Sequence, residues 1–339
     1  MDELLTTAAL SVLLVSFGVG IVVGLTGMGG GALMTPALIF LGVNPTVAVA
    51  NDLVAASVNK SVGAAVHWRH GKPNLKLAGL LIVASVPTAF AGAFIIEAVG
   101  GGGEREQFLK TAIGCALLFT AATYALRMYV QLRFVTSGNI IPEDDPELRP
   151  IPTLLVGATG GLLVGITSVG SGSLIMVALL LLYPTLSALR LVGTDLVQAV
   201  PLVLSAAISH VLVSGVDWSV LIPLIAGGTP GTFLGARIAN WVSQSVIRRG
   251  IVIVLTLTGL TMLGVPPEMV GIIGAGLLLL GPLVWGFIRQ SRGLTAFDNN
   301  AAAWWHPNGS DTPPGPDGQG PGRGVDAPGE APAGRVDPS

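Results

Sequence analysis

The chain has 339 residues, of which 51% are hydrophobic and only 11% charged, and its formal net charge is −2. Soluble domains carry roughly 25% charged residues, and the mean hydropathy here is +0.74. That balance excludes an ordinary soluble domain and a nucleic-acid binder with a basic face; a single cysteine, Cys115, excludes an internal disulfide or a cysteine-built zinc centre.

The chain opens Met1-Asp2-Glu3, with no Lys or Arg before the first apolar run and no small-x-small site after it. It is therefore read as a membrane helix and not as a signal peptide. Apolar segments fall at 4–24, 32–42, 46–66, 75–98, 105–130, 152–169, 172–183, 187–213, 218–241, 247–264 and 268–288. Most approach the ~20 residues that a spanning helix needs. Segments 32–42 and 172–183 are too short to cross and are expected to be half-helices. The expected class is all-α, a polytopic membrane bundle with about eight to eleven crossings.

Between the first two segments lies Gly24-Leu25-Thr26-Gly27-Met28-Gly29-Gly30-Gly31-Ala32-Leu33, with five glycines in eight residues. Each glycine weakens a helix by ~1 kcal/mol relative to alanine, so the run predicts a broken helix. A break at membrane depth survives only inside protein or beside water. Gly165-Ile166-Thr167-Ser168-Val169-Gly170-Ser171-Gly172-Ser173-Leu174 repeats the pattern 141 positions later. Paired breaks in corresponding positions of two halves point to a transport site.

The echo continues. Asn51-Asp52-Leu53-Val54 returns as Thr194-Asp195-Leu196-Val197, His67 as His210, and Pro87-Thr88-Ala89-Phe90-Ala91-Gly92 as Pro230-Gly231-Thr232-Phe233-Leu234-Gly235, all at an offset of 143. The reading is a first repeat over 1–130, a polar cytoplasmic linker over 131–151, a second repeat over 152–264 and an appended helix within 265–290. From 291 the chain is rich in Gly and Pro and is expected to be a disordered tail. Trp304-Trp305-His306 suits either the bilayer interface or an incidental place in that tail.

Basic residues in short loops set orientation. Arg69, Lys72 and Lys76 place 67–76 in the cytoplasm, and Arg248, Arg249, Arg289 and Arg292 place 242–249 and the tail there too. The loop equivalent to 67–76 in the second half, 213–218, carries no basic residue. Equivalent loops then face opposite sides, which makes the repeats inverted.

Ionisable side chains within spanning segments are few: Asp52, Lys60 and His67, then Asp195 and His210. Each costs at least a few kcal/mol at mid-membrane and is a functional candidate by default. At about 100° per residue, Asp52, Asn59, Lys60 and His67 share one helix face, and Asp195, Gln198, Ser205, Ser209 and His210 share another. Asp52 and Lys60 stand roughly 12 Å apart along their helix axis at ~1.5 Å per residue. Lys60 therefore needs another partner, either an acid of the other half or an anion. The structural alternatives are capping by Asp52 and Asp195, snorkelling by Lys60, and interface marking by His67 and His70. Gly27-x-Gly29-x-x-Ala32 matches a dinucleotide fingerprint, but a membrane helix precedes it where a strand is required. No Walker A, HExxH or triad pattern points to an enzyme, and no cofactor or metal is expected.

With these residues placed, the chain resembles the sulfite exporter TauE/SafE family of membrane permeases. The resemblance is carried by Gly27-x-Gly29-Gly30-Gly31-x-Leu33-x-x-Pro36 followed by Leu41-Gly42, by Asn51-Asp52, and by Gly71, Pro87 and Gly92. In the second half it is carried by Gly170-x-Gly172-x-Leu174, Gly193-Thr194, Gly215-x-Asp217-Trp218 and Pro230-Gly231-x-x-x-Gly235. Val177 stands where the matching position of the first half has Pro36. The resemblance implies export of small anions, sulfite or sulfonates, by a secondary carrier in the cell membrane.

The expected substrate site gathers Thr26, Gly29, Gly30, Gly31, Asn51, Asp52, Asn59, Lys60, Thr167, Ser168, Gly170, Ser171, Gly172, Thr194, Asp195 and Gln198. Broken-helix N-termini would offer N–H groups to the anion, with Lys60 adding a charge. His67 and His210 are candidates for coupling to a proton or sodium ion. The rival reading is a cation or metal carrier centred on Asp52 and Asp195.

Overall fold

The computed structural model describes residues 2–26, 30–68, 73–137, 146–170, 172, 174–186, 188–239, 241–242 and 244–291. Among them the chain forms helices and no strand: α1 (Asp2–Thr26), α2 (Gly31–Phe40), α3 (Pro45–Trp68), α4 (Leu75–Ala98), α5 (Gly103–Ser137), α6 (Pro150–Thr167), α7 (Leu174–Leu182), α8 (Ala188–Ser214), α9 (Trp218–Ile238), α10 (Gln244–Met262) and α11 (Pro267–Gln290). Each expected apolar segment has its helix. The main boundary difference is α5, which runs to Ser137 and takes the first part of the expected linker into the helix. Residues 138–145, the tail from 292 with Trp304, Trp305 and His306, and loop residues 69–72 lie outside the described residues.

Local chemistry explains the helix ends. Asn74 caps α4 by accepting from Leu77 N, and Asp217 caps α9 by accepting from Ser219 N. Pro150 opens α6, where its missing N–H has no intrahelical partner to lose. α6 stops at Ser168, which is left-handed at φ 61, and Gly170 follows at φ 105. Such positive φ is costly for a residue with a side chain, and Ser168 is the one described non-glycine that adopts it.

Among the described residues, seven helices are long and apolar enough to cross a membrane: α1, α4, α5, α6, α8, α9 and α11. α3, with 24 residues, and α10, with 19, have the length as well. At ten and nine residues, α2 and α7 are half-length. The chain is thus a multi-pass membrane bundle.

Close packing follows small residues. α1 and α9 run parallel with backbones touching: a Cβ on Gly20 would strike the Gly228 carbonyl, and one on Gly24 the Thr232 carbonyl. α6 packs along α4 in the same way, with Gly161 against Ser85 and Gly165 against Ala89 and Gly92. Small residues let helices approach where lipid supplies no hydrophobic drive between them. α3 crosses α8, α4 also packs on α8, and α5 lies antiparallel to α10, with Gly114 and Leu118 meeting Gly259. Large apolar side chains such as Leu14, Phe233, Leu279 and Phe287 face outward. The interior combines apolar side chains such as Leu53, Leu81 and Leu202 with the polar Asn51, Thr194, Gln198 and His210, all fully buried.

Candidate functional site

The site is built on α3 and α8, the two helices whose inward faces carry the polar stripes. Asp52 on α3 is 2% exposed, Asp195 on α8 is 4% exposed, and Lys60 on α3 is 9% exposed. Three ionisable groups removed from water together require mutual compensation or bound charge.

Asp52 ties the two broken regions together. Its Oδ2 accepts the hydroxyl of Thr35, on half-helix α2, at 2.5 Å and that of Ser168, at the end of α6, at 2.9 Å. The backbone N–H of Thr35 faces the same carboxylate. Ser168 is held there by its left-handed backbone, and its carbonyl lies against Gly31, leaving no room for a Cβ. The second break is therefore seated on the start of the helix that follows the first. Gly31 is required by that approach, whereas Gly30 has right-handed backbone and space for a side chain.

Lys60 lies within electrostatic reach of Asp195 and, more weakly, of Asp52, so an acid of the other half is among the charges near it. Asp195 also accepts from Gln198 Nε2 at 3.0 Å and lies within electrostatic reach of Arg127 on α5. Two amide oxygens in this layer, Asn51 Oδ1 and Gln198 Oε1, are buried without a hydrogen-bond partner among the described residues.

Two further bonds hold α3 and α8 to the caps of their neighbours. Asn51 Nδ2 donates to the carbonyl of Asp217, the cap of α9, at 3.2 Å. Thr194 Oγ1 accepts from the backbone N–H of Asn74, the cap of α4, at 3.0 Å. Asn59 accepts from Thr229 on α9, and Ser205 donates to the Val86 carbonyl on α4.

Other expected site residues serve the local backbone. Thr26 Oγ1 turns back to the Val22 and Val23 carbonyls. Thr167 Oγ1 donates to the Leu163 carbonyl and accepts from Val169 N, steadying the turn into the break. His210 Nε2 pairs with the Gly165 carbonyl at 2.7 Å, one of the acceptors freed as α6 ends. Gly170 and Gly172 flank the second break, while Gly29, Ser171 and the side chain of His67 lie outside the described residues. Thr35, which donates to Asp52, is a contact that the sequence does not mark. Its signal was weak: a threonine before Pro36 in a half-helix, with apolar Met176 at the matching position of the second half.

A cavity of about 510 Å³ lies elsewhere, between α1, α2 and α10, lined by apolar residues such as Val22, Leu33, Phe40 and Ile251. It holds no ionisable side chain, so it is not the place for a charged substrate.

The family model described as sulfite exporter TauE/SafE matches residues 12–262. The chain belongs to the TauE/SafE family. The match runs from α1 to the last residue of α10, and α11 lies beyond it. YjnA of Bacillus subtilis, named a probable membrane transporter protein, is 33% identical over 257 residues, covering 75% of this chain and 100% of that protein. YdhB of the same organism, similarly named, is 24% identical over 74% of this chain and 99% of its own length. A probable membrane transporter protein of Xylella fastidiosa is 28% identical over 67% of this chain and 83% of its own. No solved structure matches the chain. This TauE/SafE member is a membrane transporter, and a buried polar layer lies between its α3 and α8.

Proposed function

We propose that this protein is a secondary carrier of a small anion, sulfite or a sulfonate being the chemistry to try first. The observation that carries the reading is the convergence on Asp52 of Thr35, in the half-helix that follows the first glycine run, and Ser168 at the end of α6. A half-helix N-terminus with hydroxyl donors is an anion-binding arrangement. Lys60 brings the one ammonium of the layer.

Two inverted repeats would give alternation between the two sides its structural basis, and three features support that reading. The contacts Asn51 to Asp217 and Thr194 to Asn74 exchange with each other under the 143-residue offset. The pairing of α1 with α9 exchanges with that of α6 with α4. α5 and α10, equivalents of one another, lie antiparallel, as a two-fold axis in the membrane plane requires. Arg69, Lys72 and Lys76 support a cytoplasmic loop 67–76, and Arg289 and Arg292 a cytoplasmic tail.

A cation carrier is the second reading, favoured by one observation. Asn51 Oδ1 and Gln198 Oε1 are unpartnered acceptors near two carboxylates, and a cation would satisfy them. The deciding experiment is tracer flux into liposomes holding the full chain, across sulfite, sulfate, alkyl sulfonates and divalent cations. Saturable anion flux supports the first reading. Flux of cations alone overturns it in favour of the second.

A further inference from the structure

Asp52 occupies the place of an anion. Its carboxylate takes the hydroxyls of Thr35 and Ser168 and faces the Thr35 N–H in the opening turns of α2. A substrate anion at the same half-helix needs those same donors. An ionised Asp52 therefore competes with the substrate. A neutral carboxylic acid carries an O–H of its own and accepts more weakly, so its hold on the two hydroxyls weakens and the anion can draw one of them away.

The charges of the layer are unevenly shared between its two acids. Asp52 and Asp195 are two buried carboxylates, and Lys60 is one buried ammonium. Around them α2 contributes Thr35, the end of α6 contributes Ser168, and α5 contributes Tyr124 and Arg127, with Arg248 of α10 close to both. α9 contributes the Asp217 carbonyl to Asn51 and the Thr229 hydroxyl to Asn59. The cations favour one acid. Asp195 accepts from the Gln198 amide at 3.0 Å and lies within electrostatic reach of both Lys60 and Arg127. Asp52 has its hydroxyl donors and only the lesser share of Lys60.

We propose that Asp52 is the proton-binding site that couples this carrier, so that one proton and the substrate anion cross together. The proposal rests on the anion-carrier reading. As the anion enters, a proton from water bonds to a carboxylate oxygen of Asp52, and the freed Ser168 or Thr35 hydroxyl turns to the anion. When the anion leaves, the proton returns to water and the hydroxyl returns to the carboxylate. Ser168 sits at the second break and Thr35 beyond the first, so this exchange loosens and remakes the tie between the two halves.

The test uses the full chain in liposomes with labelled sulfite, under an imposed proton gradient or an imposed sodium gradient. Sulfite itself titrates near neutrality, so each condition is compared with Asp52→Asn in identical buffers. Wild type should accumulate sulfite along the proton gradient, and Asp52→Asn should lose that response. Ser168→Ala is the second variant, and decides the matter if Asp52→Asn fails to fold. It removes a donor from the ionised carboxylate, which favours the protonated form, so the pH profile of sulfite exchange should move to higher pH. An unmoved profile in Ser168→Ala, an intact proton response in Asp52→Asn, or accumulation driven by sodium and not by protons overturns the proposal. Sulfite flux indifferent to the proton gradient overturns the coupling alone, and absence of any anion flux in wild type overturns the anion reading with it.

Discussion

Ser168 donates its hydroxyl to Asp52 across 2.9 Å, although 116 positions of sequence separate them. One residue ends a broken helix of the second half; the other lies on α3 of the first. This bond, with its neighbour from Thr35, turns two separate glycine-rich interruptions into one site.

Gly31 and Gly30 should respond oppositely to alanine. A Cβ on Gly31 meets the Ser168 backbone, which cannot rotate away as a side chain would. Overpacking of that kind costs about 1–3 kcal/mol, and here it separates the two breaks. Gly31→Ala should lose most transport and lower thermal stability in detergent. Gly30→Ala meets nothing closer than Val23 Cγ2 at 3.9 Å and should stay within about 0.5 kcal/mol of wild type. Initial uptake rate beside melting temperature for both variants makes the comparison. Equal loss in the two would mean that the approach to Ser168 is not what fixes glycine at 31.

Lys60 and Asp195 should behave as a coupled pair. Removing one partner of a buried ion pair costs about 3–5 kcal/mol because the other charge is stranded. Lys60→Gln should therefore be poorly stable, and Lys60→Gln with Asp195→Asn should recover stability without recovering transport. A double-mutant cycle on melting temperature measures the coupling. Strict additivity would show that Lys60 is held by something other than Asp195.

His210 should matter through its donor. Its Nε2 meets the Gly165 carbonyl in a fully buried place. His210→Leu leaves that acceptor bare, a loss of about 1–3 kcal/mol, whereas His210→Gln keeps an N–H that can reach it. Stability should fall in the first and largely return in the second. Retention of transport in His210→Gln would separate His210 from coupling; its abolition in a stable protein would restore the histidine as a coupling residue.

Sidedness is checked by labelling. Lys76 and Ser214 are exposed residues near equivalent turns of the two halves. In a Cys115→Ser background, an impermeant maleimide applied to intact cells should modify Ser214→Cys and spare Lys76→Cys. Modification of both from outside would contradict the inverted arrangement.

Helix existence and position were set by the sequence itself, because in lipid an apolar run of given length has few alternatives to forming a helix. The expected span 75–98 is the observed α4, and the short apolar runs after each glycine cluster are the half-helices α2 and α7. The ionisable residues were equally legible, since charge within an apolar stretch is conspicuous. What each of them touches was not. Thr35 carried no charge and no echo in the second half, so nothing in one dimension marked it as the partner of Asp52. That Asp195 comes within electrostatic reach of Lys60 depended on how α3 packs on α8, which no spacing within α3 encodes. The glycines divide in the same manner. Composition announced a break, but only the packed fold distinguished Gly31, pressed against the Ser168 carbonyl, from Gly30 with open space beside it. Local backbone preference and hydrophobicity act along the chain and can be read there; contacts between residues over a hundred positions apart arise only once the helices have chosen their neighbours.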